Sequence, residues 1–496
     1  MPLLLGLDIG TTGARAIAVD ERGTVVAAEM AEYPTLLPRP GWTEQEPEAW
    51  WRAARQTLGR VAARVSGPIV GLGLTGQMHG AVFLDAHDAV IRSALLWNDQ
   101  RTAAQCAAMS AAIGAERLVA ITGNPALTGF QAPKILWLRD AEPASYARVA
   151  RVLLPKDFVR LRLTGVAATD ASDAAGTLLL DARRRDWSAE VLDALAIPRA
   201  WLPQVFEGPE VTGRLRPEVA AELGLPAGLP VAAGGGDNAA AAVGTGIVAP
   251  GPLAVSLGTS GVVFAHTDEF APDPSGRIHA FCHAVPGAYH LMAVSLAAGG
   301  ALRWWRDIVG SGDYARLTAE AAAIPAGAEG LLFLPYLNGE RTPHLDPAAR
   351  GAFVGLTARH TRAHLTRAVL EGVAFSLGEG LAIMRGLGVP MTEVRVTGGG
   401  ATSTLWCQIL ADRFGLPVRR VVAEEGPAYG AALLAGVMAG VWADVGTATD
   451  LIRLRPEITT PTAQGSAIYR EYAALYSALY PDLQGTMQRL TALAEG

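Results

Sequence analysis

Within the first twenty residues the apolar positions fall into two runs, "LLLGLDI" and "ARAIAVD", on either side of "GTTG". Runs of strand composition flanking a short Gly/Thr turn predict a hairpin, and "GTVVAAEM", after the "DERG" turn, predicts a third strand. The period then changes. In "EPEAWWRAARQTLGRVAARV", Trp50, Ala54, Leu58 and Val61 recur at helical spacing behind Pro47, a residue suited to a first helical turn. The apolar "IVGLGLT" predicts a short buried strand, and strand and helix signals alternate from there on. The pattern therefore predicts an α/β class.

The opening device recurs. "GTTG" starts at Gly10 and "GTSG" at Gly258, about half a chain further on, again between apolar runs in "LAVSLGTSGVVFAH". Two hairpins, each near the start of one half, predict two copies of one fold facing a cleft. The expected boundary lies within "GTGIVAPGPL", giving domains 1–246 and 247–496. A length of 496 residues, half of them hydrophobic, is more than one domain usually holds.

A turn of Gly and Thr points successive backbone N–H groups and hydroxyls at one place, which makes an anion cradle without a cationic side chain. A single such string reads most simply as a tight turn; its recurrence favours phosphate binding. The chain holds two lysines, Lys134 and Lys156, and neither stands in a GxxxxGK[ST] context. P-loop and protein-kinase chemistry are thereby excluded. The charge of a polyphosphate would have to be met by amides, hydroxyls, arginine and a metal ion. That gives Asp8, at the end of the first apolar run, a function: phosphates repel a carboxylate unless Mg²⁺ or its waters lie between them.

Two more glycine clusters carry chemistry. "VRVTGGGATSTLWCQILADRFG" runs from a strand through Thr397–Gly400 into a helix with Leu405, Trp406, Ile409 and Leu410 on its apolar side, an arrangement that suits a nucleotide. In "VAAGGGDNAAAAVGTG", Asp237 is a lone acid among small residues, placed as a general base for a hydroxyl would need to be. Its plain alternative is a cap on the alanine-rich helix that follows. "GLGLTG", Gly71–Gly76, satisfies the dinucleotide fingerprint GxGxxG, but a strand-like segment follows it instead of a helix, so a dehydrogenase finds little support. It reads as a buried strand with "GQMHG" as the loop at its tip. Met78 is by default core and His79 by default structural; their place at a strand end facing the cleft argues for substrate contact.

A formal net charge of −6 offers no basic surface for nucleic acid or anionic lipid. Cys106, Cys282 and Cys407 lie far apart without metal or disulfide spacing, as in a reducing compartment, and the cytoplasm is expected. No segment reads as membrane-spanning. Partners should be small molecules.

Taken together, "LGLDIGTTGARAIAVD", "GLTGQMHGAVFLD", "LLWNDQRT", "LLPKDFVRLRLTG", "GGGDNAAAAVGTG", "SLGTSGVVFA", "FLPYLNGERTPHLDPAARGAFVGLTARH" and "VTGGGA" resemble the FGGY carbohydrate kinases over nearly the whole chain. His364, Leu365, Ala368 and Glu371 fit that family's C-terminal signature. Gln131 and Ala141 depart from its other signature, which bears on local substrate contacts and not on the fold. The resemblance implies two actin-like (ribonuclease H-like) ATPase domains around a cleft, with sugar on the N-terminal side and ATP on the C-terminal side. By position, Asp237 is similar to the family's catalytic base, which also meets substrate and metal, and Asp8 to its metal-side acid. Gly10, Thr11, Thr12, Gly13 and Arg15 match the first phosphate hairpin, Gly258 and Thr259 the second, and Gly399 and Gly400 the adenosine-side turn. Met78 and His79 match the sugar loop of the family's ketopentose kinases. ATP and Mg²⁺ are the implied cofactors, a sugar the substrate, and a homodimer is compatible with the family.

Overall fold

The computed structural model describes residues 1–422 and 426–495. The predicted opening is present as β1 (Leu3–Ile9), β2 (Gly13–Asp20) and β3 (Val25–Glu32), an antiparallel meander. On its other side β1 pairs in parallel with β4 (Ile69–Gly76). With β5 (Val211–Arg214) and β6 (Pro230–Ala232) the strand order is β5-β6-β4-β1-β2-β3, and the short β7 (Gly235–Gly236) also pairs with β4.

The C-terminal half repeats this plan. β8 (Gly251–Leu257) pairs antiparallel with β9 (Gly261–Thr267), and β9 with β11 (Tyr289–Ser295), beyond which lies β10 (His279–Cys282). On its other side β8 pairs in parallel with β12 (Met391–Thr397), followed by β13 (Val418–Val421) and the antiparallel β14 (Leu454–Thr459). The order β11-β9-β8-β12-β13 is the counterpart of β3-β2-β1-β4-β6. The sequence repeat at Gly10 and Gly258 is thus the trace of two sheets of matching topology, each with its hairpin at the same place.

Helix α1 (Pro47–Arg64) buries Trp50, Ala54, Leu58 and Val61, the stripe its periodicity marks, against the N-terminal meander. Helix α2 (Asp237–Thr245) starts at the tip of β7. The pattern of polar positions does not reveal the role of a helix from the other half, Gly426–Met438. It is apolar on nearly every side and packs on α2, β1 and β4 of the N-terminal half. Contact is so close that a Cβ at Gly6 would lie 2.0 Å from the Ala428 carbonyl oxygen, and one at Gly73 1.9 Å from that of Ala431. Gly71 and Gly73 of "GLGLTG" therefore admit a helix backbone, and the string forms the buried strand expected of it. No described helix is long and apolar enough to cross a membrane.

Candidate active site

Both hairpins are held from behind by their carbonyls. In the first, Gly10 N–H donates to Gly13 O at 3.1 Å, Tyr33 Oη donates to Gly10 O at 2.5 Å, and Gln45 Nε2 to Thr11 O at 2.7 Å. Trp97 Nε1 donates to the Thr11 hydroxyl at 3.0 Å. In the second, Gly299 N–H donates to Gly258 O at 2.7 Å, while the amides of Ala298 and Gly300 donate to Thr259 O at 2.9 and 3.0 Å. Engaging the carbonyls at the back leaves Thr12 and Thr259 exposed at the tips, the arrangement an anion cradle requires.

A cavity of about 570 Å³ opens beside the second hairpin, a size suited to a nucleotide. Gly258, Thr259, Gly399 and Gly400, the residues matched to the second hairpin and the adenosine-side turn, line it. A Cβ at Gly399 would meet no atom within 4 Å, whereas one at Gly400 would lie 2.7 Å from Leu257 Cβ; the first glycine keeps the wall open and the second lets it close on the strand. The turn does not run directly into the helix, since a 3₁₀ turn, Gly399–Thr402, intervenes and Ser403 caps the helix Thr404–Phe414. Sequence reasoning missed Gly299, Leu302, Arg303 and Tyr314 in this wall. A signal existed: "AAGG" before "ALRWWRDI" is a glycine pair at a helix start.

Asp8 and Arg15 are direct partners in the β1–β2 register, and Thr75 lies opposite Asp8 on β4. Gly235 pairs with the same Thr75 and leads into Asp237, which brings the second acid to the same edge of the sheet. Asp237 is the first residue of α2 and Gly236 its N-cap, so the capping alternative does not hold. Its Oδ1 accepts from the backbone and side-chain amides of Asn238 at 2.7 and 2.9 Å. Burial raises Asp237 to about 6. Burial, then the charge of Asp237, raise Asp8 to about 7 against the opposing pull of Arg15. Asp8 Oδ1, Thr75 Oγ1 and Gln77 Oε1 are buried without a hydrogen-bond partner. Asp237 also lines a cavity of about 290 Å³ with Ser256, Thr397 and Gly398 of the C-terminal half.

A buried network supports this edge. Gly236 N–H donates to Ser172 Oγ at 3.1 Å, and that hydroxyl donates to Asp170 at 2.5 Å. Asp170 in turn meets Lys156 at 2.7 Å, and Lys156 also contacts Asp157 at 2.6 Å and Asp173 at 3.2 Å.

Met78 and His79 follow β4 directly. Met78 is wedged against the backbone before Asp237: a Cβ at Gly236 would lie 2.9 Å from Met78 Cγ. His79 has φ +69°, and its Nδ1 lies 2.6 Å from the Gly176 carbonyl oxygen. A carbonyl can only accept, so Nδ1 carries the proton and Nε2 is left as an acceptor. Burial lowers the ring's pKa to about 3, which keeps it neutral. Gln131, one of the departures from the family signature, donates to Gly80 O at 2.7 Å and Leu153 O at 3.2 Å and so fastens this loop. Ala141 is exposed at a helix end, away from these contacts.

Two domains of matching topology, each presenting a Gly/Thr hairpin, with a buried acid pair at the edge of one sheet and a nucleotide-sized cavity beside the hairpin of the other, define the class of an ATP-dependent phosphotransferase. The models of the FGGY family of carbohydrate kinases, N-terminal and C-terminal domains, match residues 3–244 and 253–439, and the chain belongs to that family. It is 43% identical to the xylulose kinase of Escherichia coli (strain K12), over 97% of this chain and 99% of that protein. It is 46% identical to the xylulose kinase of Klebsiella pneumoniae, over 88% and 90%. Among solved structures, a xylulose kinase from Rhodospirillum rubrum superposes with a TM-score of 0.92 at 32% identity, covering 98% of this chain and 99% of that one.

Proposed function

We propose that the protein transfers the γ-phosphoryl group of ATP to D-xylulose, giving D-xylulose 5-phosphate. The observation that carries this reading is that Asp8, Asp237 and the Met78–His79 loop lie at one edge of the N-terminal sheet, with Asp237 lining a cavity it shares with Ser256, Thr397 and Gly398 of the other half. The names of the two xylulose kinases it resembles supply the sugar.

In this mechanism the nucleotide occupies the cavity walled by Gly399 and Gly400, with its phosphates between the hairpins at Gly10–Gly13 and Gly258–Thr259. Arg15 adds positive charge on the N-terminal side. Met78 forms an apolar wall for the sugar, and His79 Nε2 accepts from one of its hydroxyls. Asp237 takes the proton of the terminal hydroxyl as that oxygen attacks the γ-phosphorus in line, the P–O bond to ADP breaking as the new one forms. The unpartnered oxygen of Asp8 and the acidic Asp237 suit Mg²⁺, a hard cation usually held by one or two carboxylates, waters and phosphate oxygens. No group of three or more His, Cys, Asp or Glu residues among those described could hold a metal by itself, which agrees with a site completed by substrate phosphates. When bound, the ion would neutralise phosphate charge; the chain's own part is to orient both substrates and exclude water.

The test is ADP release from purified protein over a panel of D-xylulose, D-ribulose, L-ribulose and glycerol with Mg·ATP. The highest kcat/KM is expected with D-xylulose; a clear preference for another acceptor would overturn the assignment of the sugar.

A further inference from the structure

The residues around His79 include a cation that the reaction as described does not use. Glu340, Arg341 and Thr342 belong to the C-terminal half, and their backbone is fastened to its sheet. Thr342 N–H donates to Val294 O, and Val294 N–H donates to the Thr342 hydroxyl, both at 3.0 Å. The Glu340 carboxylate accepts from Ser295 Oγ at 2.8 Å, Leu296 N–H at 2.9 Å and Arg341 N–H at 2.7 Å. That carboxylate is therefore committed to holding the loop.

The Arg341 side chain leaves this anchor and crosses to the N-terminal half. A Cβ at Gly129 would lie 3.8 Å from Arg341 Nη2 and 2.7 Å from the Trp97 carbonyl oxygen. Gly129 precedes Phe130, whose ring packs on His79 with centroids 4.6 Å apart, and the Trp97 indole meets the first phosphate hairpin through Thr11. The guanidinium thus stands beside the Gly129–Phe130 backbone that packs on the Met78–His79 loop, close enough for its charge to disfavour protonation of His79, Lys134 and His279.

Its neighbours have no donors to spare. Lys134 Nζ is taken up by the carbonyls of Phe130 at 2.9 Å, His79 and Thr128 at 3.4 Å each, and Gly129. His79 donates to Gly176 and His279 bonds Asn124 at 2.7 Å. Among the described residues, no carboxylate or carbonyl accepts a hydrogen bond from the Arg341 guanidinium. The half-buried Arg341 guanidinium reaches solvent with five donors that no described protein group takes up, so they are free to meet a ligand in the cleft.

We infer that Arg341 is a sugar-binding residue: carried by the C-terminal half, it donates to oxygens of the acceptor sugar at the end away from the hydroxyl that is phosphorylated. This deepens the proposed reaction and rests on it. The sugar is then gripped from both halves at once, by His79 on one side and Arg341 on the other, so a ketose bridges the cleft that the nucleotide also bridges. The polyhydroxylated, carbonyl-bearing end of a ketose supplies the acceptors that a planar guanidinium needs.

Arg341→Gln and Arg341→Lys test this by calorimetry and steady-state kinetics in the full-length protein. Arg341→Gln should raise the Kd and KM for D-xylulose by roughly 10- to 100-fold, the usual effect of losing a charged hydrogen bond to substrate. Arg341→Lys, which keeps the charge but not the fork, should recover part of the loss, and the Kd for ADP measured without sugar should stay within about twofold in both. Should a variant fail to fold, phenylglyoxal labelling of the wild type gives the answer independently: saturating D-xylulose should slow modification of Arg341 severalfold. Unchanged sugar affinity in the variants, equal losses for sugar and ADP, or labelling indifferent to D-xylulose would each overturn the inference. A wild type that phosphorylates no ketose would instead overturn the proposed reaction, so the two failures are distinguishable.

Discussion

The charge of Asp237, at the first turn of α2, raises the pKa of Asp8 on β1, two acids 229 positions apart by their numbers but joined through Thr75 on the strand between them. Burial is the larger cause, and the mutual field makes the pair ionise in two steps, Asp237 near 6 and then Asp8 near 7. A base must be ionised to accept a proton. The kcat/KM for D-xylulose is therefore expected to fall as pH drops through about 6, as Asp237 becomes protonated. A profile flat from pH 8 down to 5 would remove Asp237 from the role of base.

Asp237→Asn keeps the size of the side chain and removes its basicity. Turnover should fall by roughly 10² to 10⁴, the usual worth of a general base, with the Kd for ADP nearly unchanged. The measurement is single-turnover kinetics beside nucleotide titration, and turnover near that of the wild type would count against the assignment.

Asp8→Asn separates activity from stability. Burial raises this acid's pKa, so the folded protein binds more protons than the unfolded chain between about pH 4 and 7, and stability falls as pH rises across that window. The substitution removes that destabilisation. Its Tm at pH 8, without nucleotide, should exceed that of the wild type, while turnover falls roughly 10²-fold and the Mg²⁺ activation curve shifts to higher concentration. A lower Tm with an unchanged Mg²⁺ curve would mark Asp8 as structural.

These acids were legible because each stands alone in a short string of glycines and small residues whose local geometry, hairpin or strand-to-helix turn, exposes it. The doubled sheet was legible because the hairpin string recurs at Gly10 and Gly258. What supports the site was not. Tyr33, Gln45 and Trp97 reach the first hairpin from 23, 34 and 86 residues away, and no local pattern marks such partners. The same holds for the helix Gly426–Met438: apolar on nearly all sides, it has no stripe to show which sheet it covers, and it covers the one in the other half. Lys156 was legible only as a lysine outside a P-loop, because its partners Asp170 and Asp173 meet it through tertiary packing.

Lys156→Met should therefore cost stability. Against the cost of burial, Asp157, Asp170 and Asp173 hold the ammonium above its usual pKa range, and all four side chains are inaccessible to solvent or nearly so. Removing the cation leaves acids buried without it, at a cost of roughly 3–5 kcal/mol. Urea denaturation should show the midpoint falling, and Asp173→Asn in the same chain should restore part of it. A midpoint unmoved by Lys156→Met would mean the acids are already neutral.

Because its ring stays neutral, with a pKa near 3, His79 should impart no pH dependence to sugar binding. The Nδ1 proton is donated to the Gly176 carbonyl, so under the proposed reaction a sugar would meet Nε2 as an acceptor across the working pH range. The Kd for D-xylulose should accordingly be flat from pH 5.5 to about 8.5 as far as this residue is concerned. His79→Ala should depress kcat/KM for D-xylulose by roughly tenfold to a hundredfold, the cost of about 1–3 kcal/mol for an unpaired polar group in a closed site. Truncating Met78, an apolar wall against Gly236, should cost less and relax discrimination among ketoses. Isothermal titration of each variant with D-xylulose and with ADP separates the outcomes. Equal weakening of both ligands in His79→Ala would mean that the histidine supports the loop at φ +69° and does not touch the sugar.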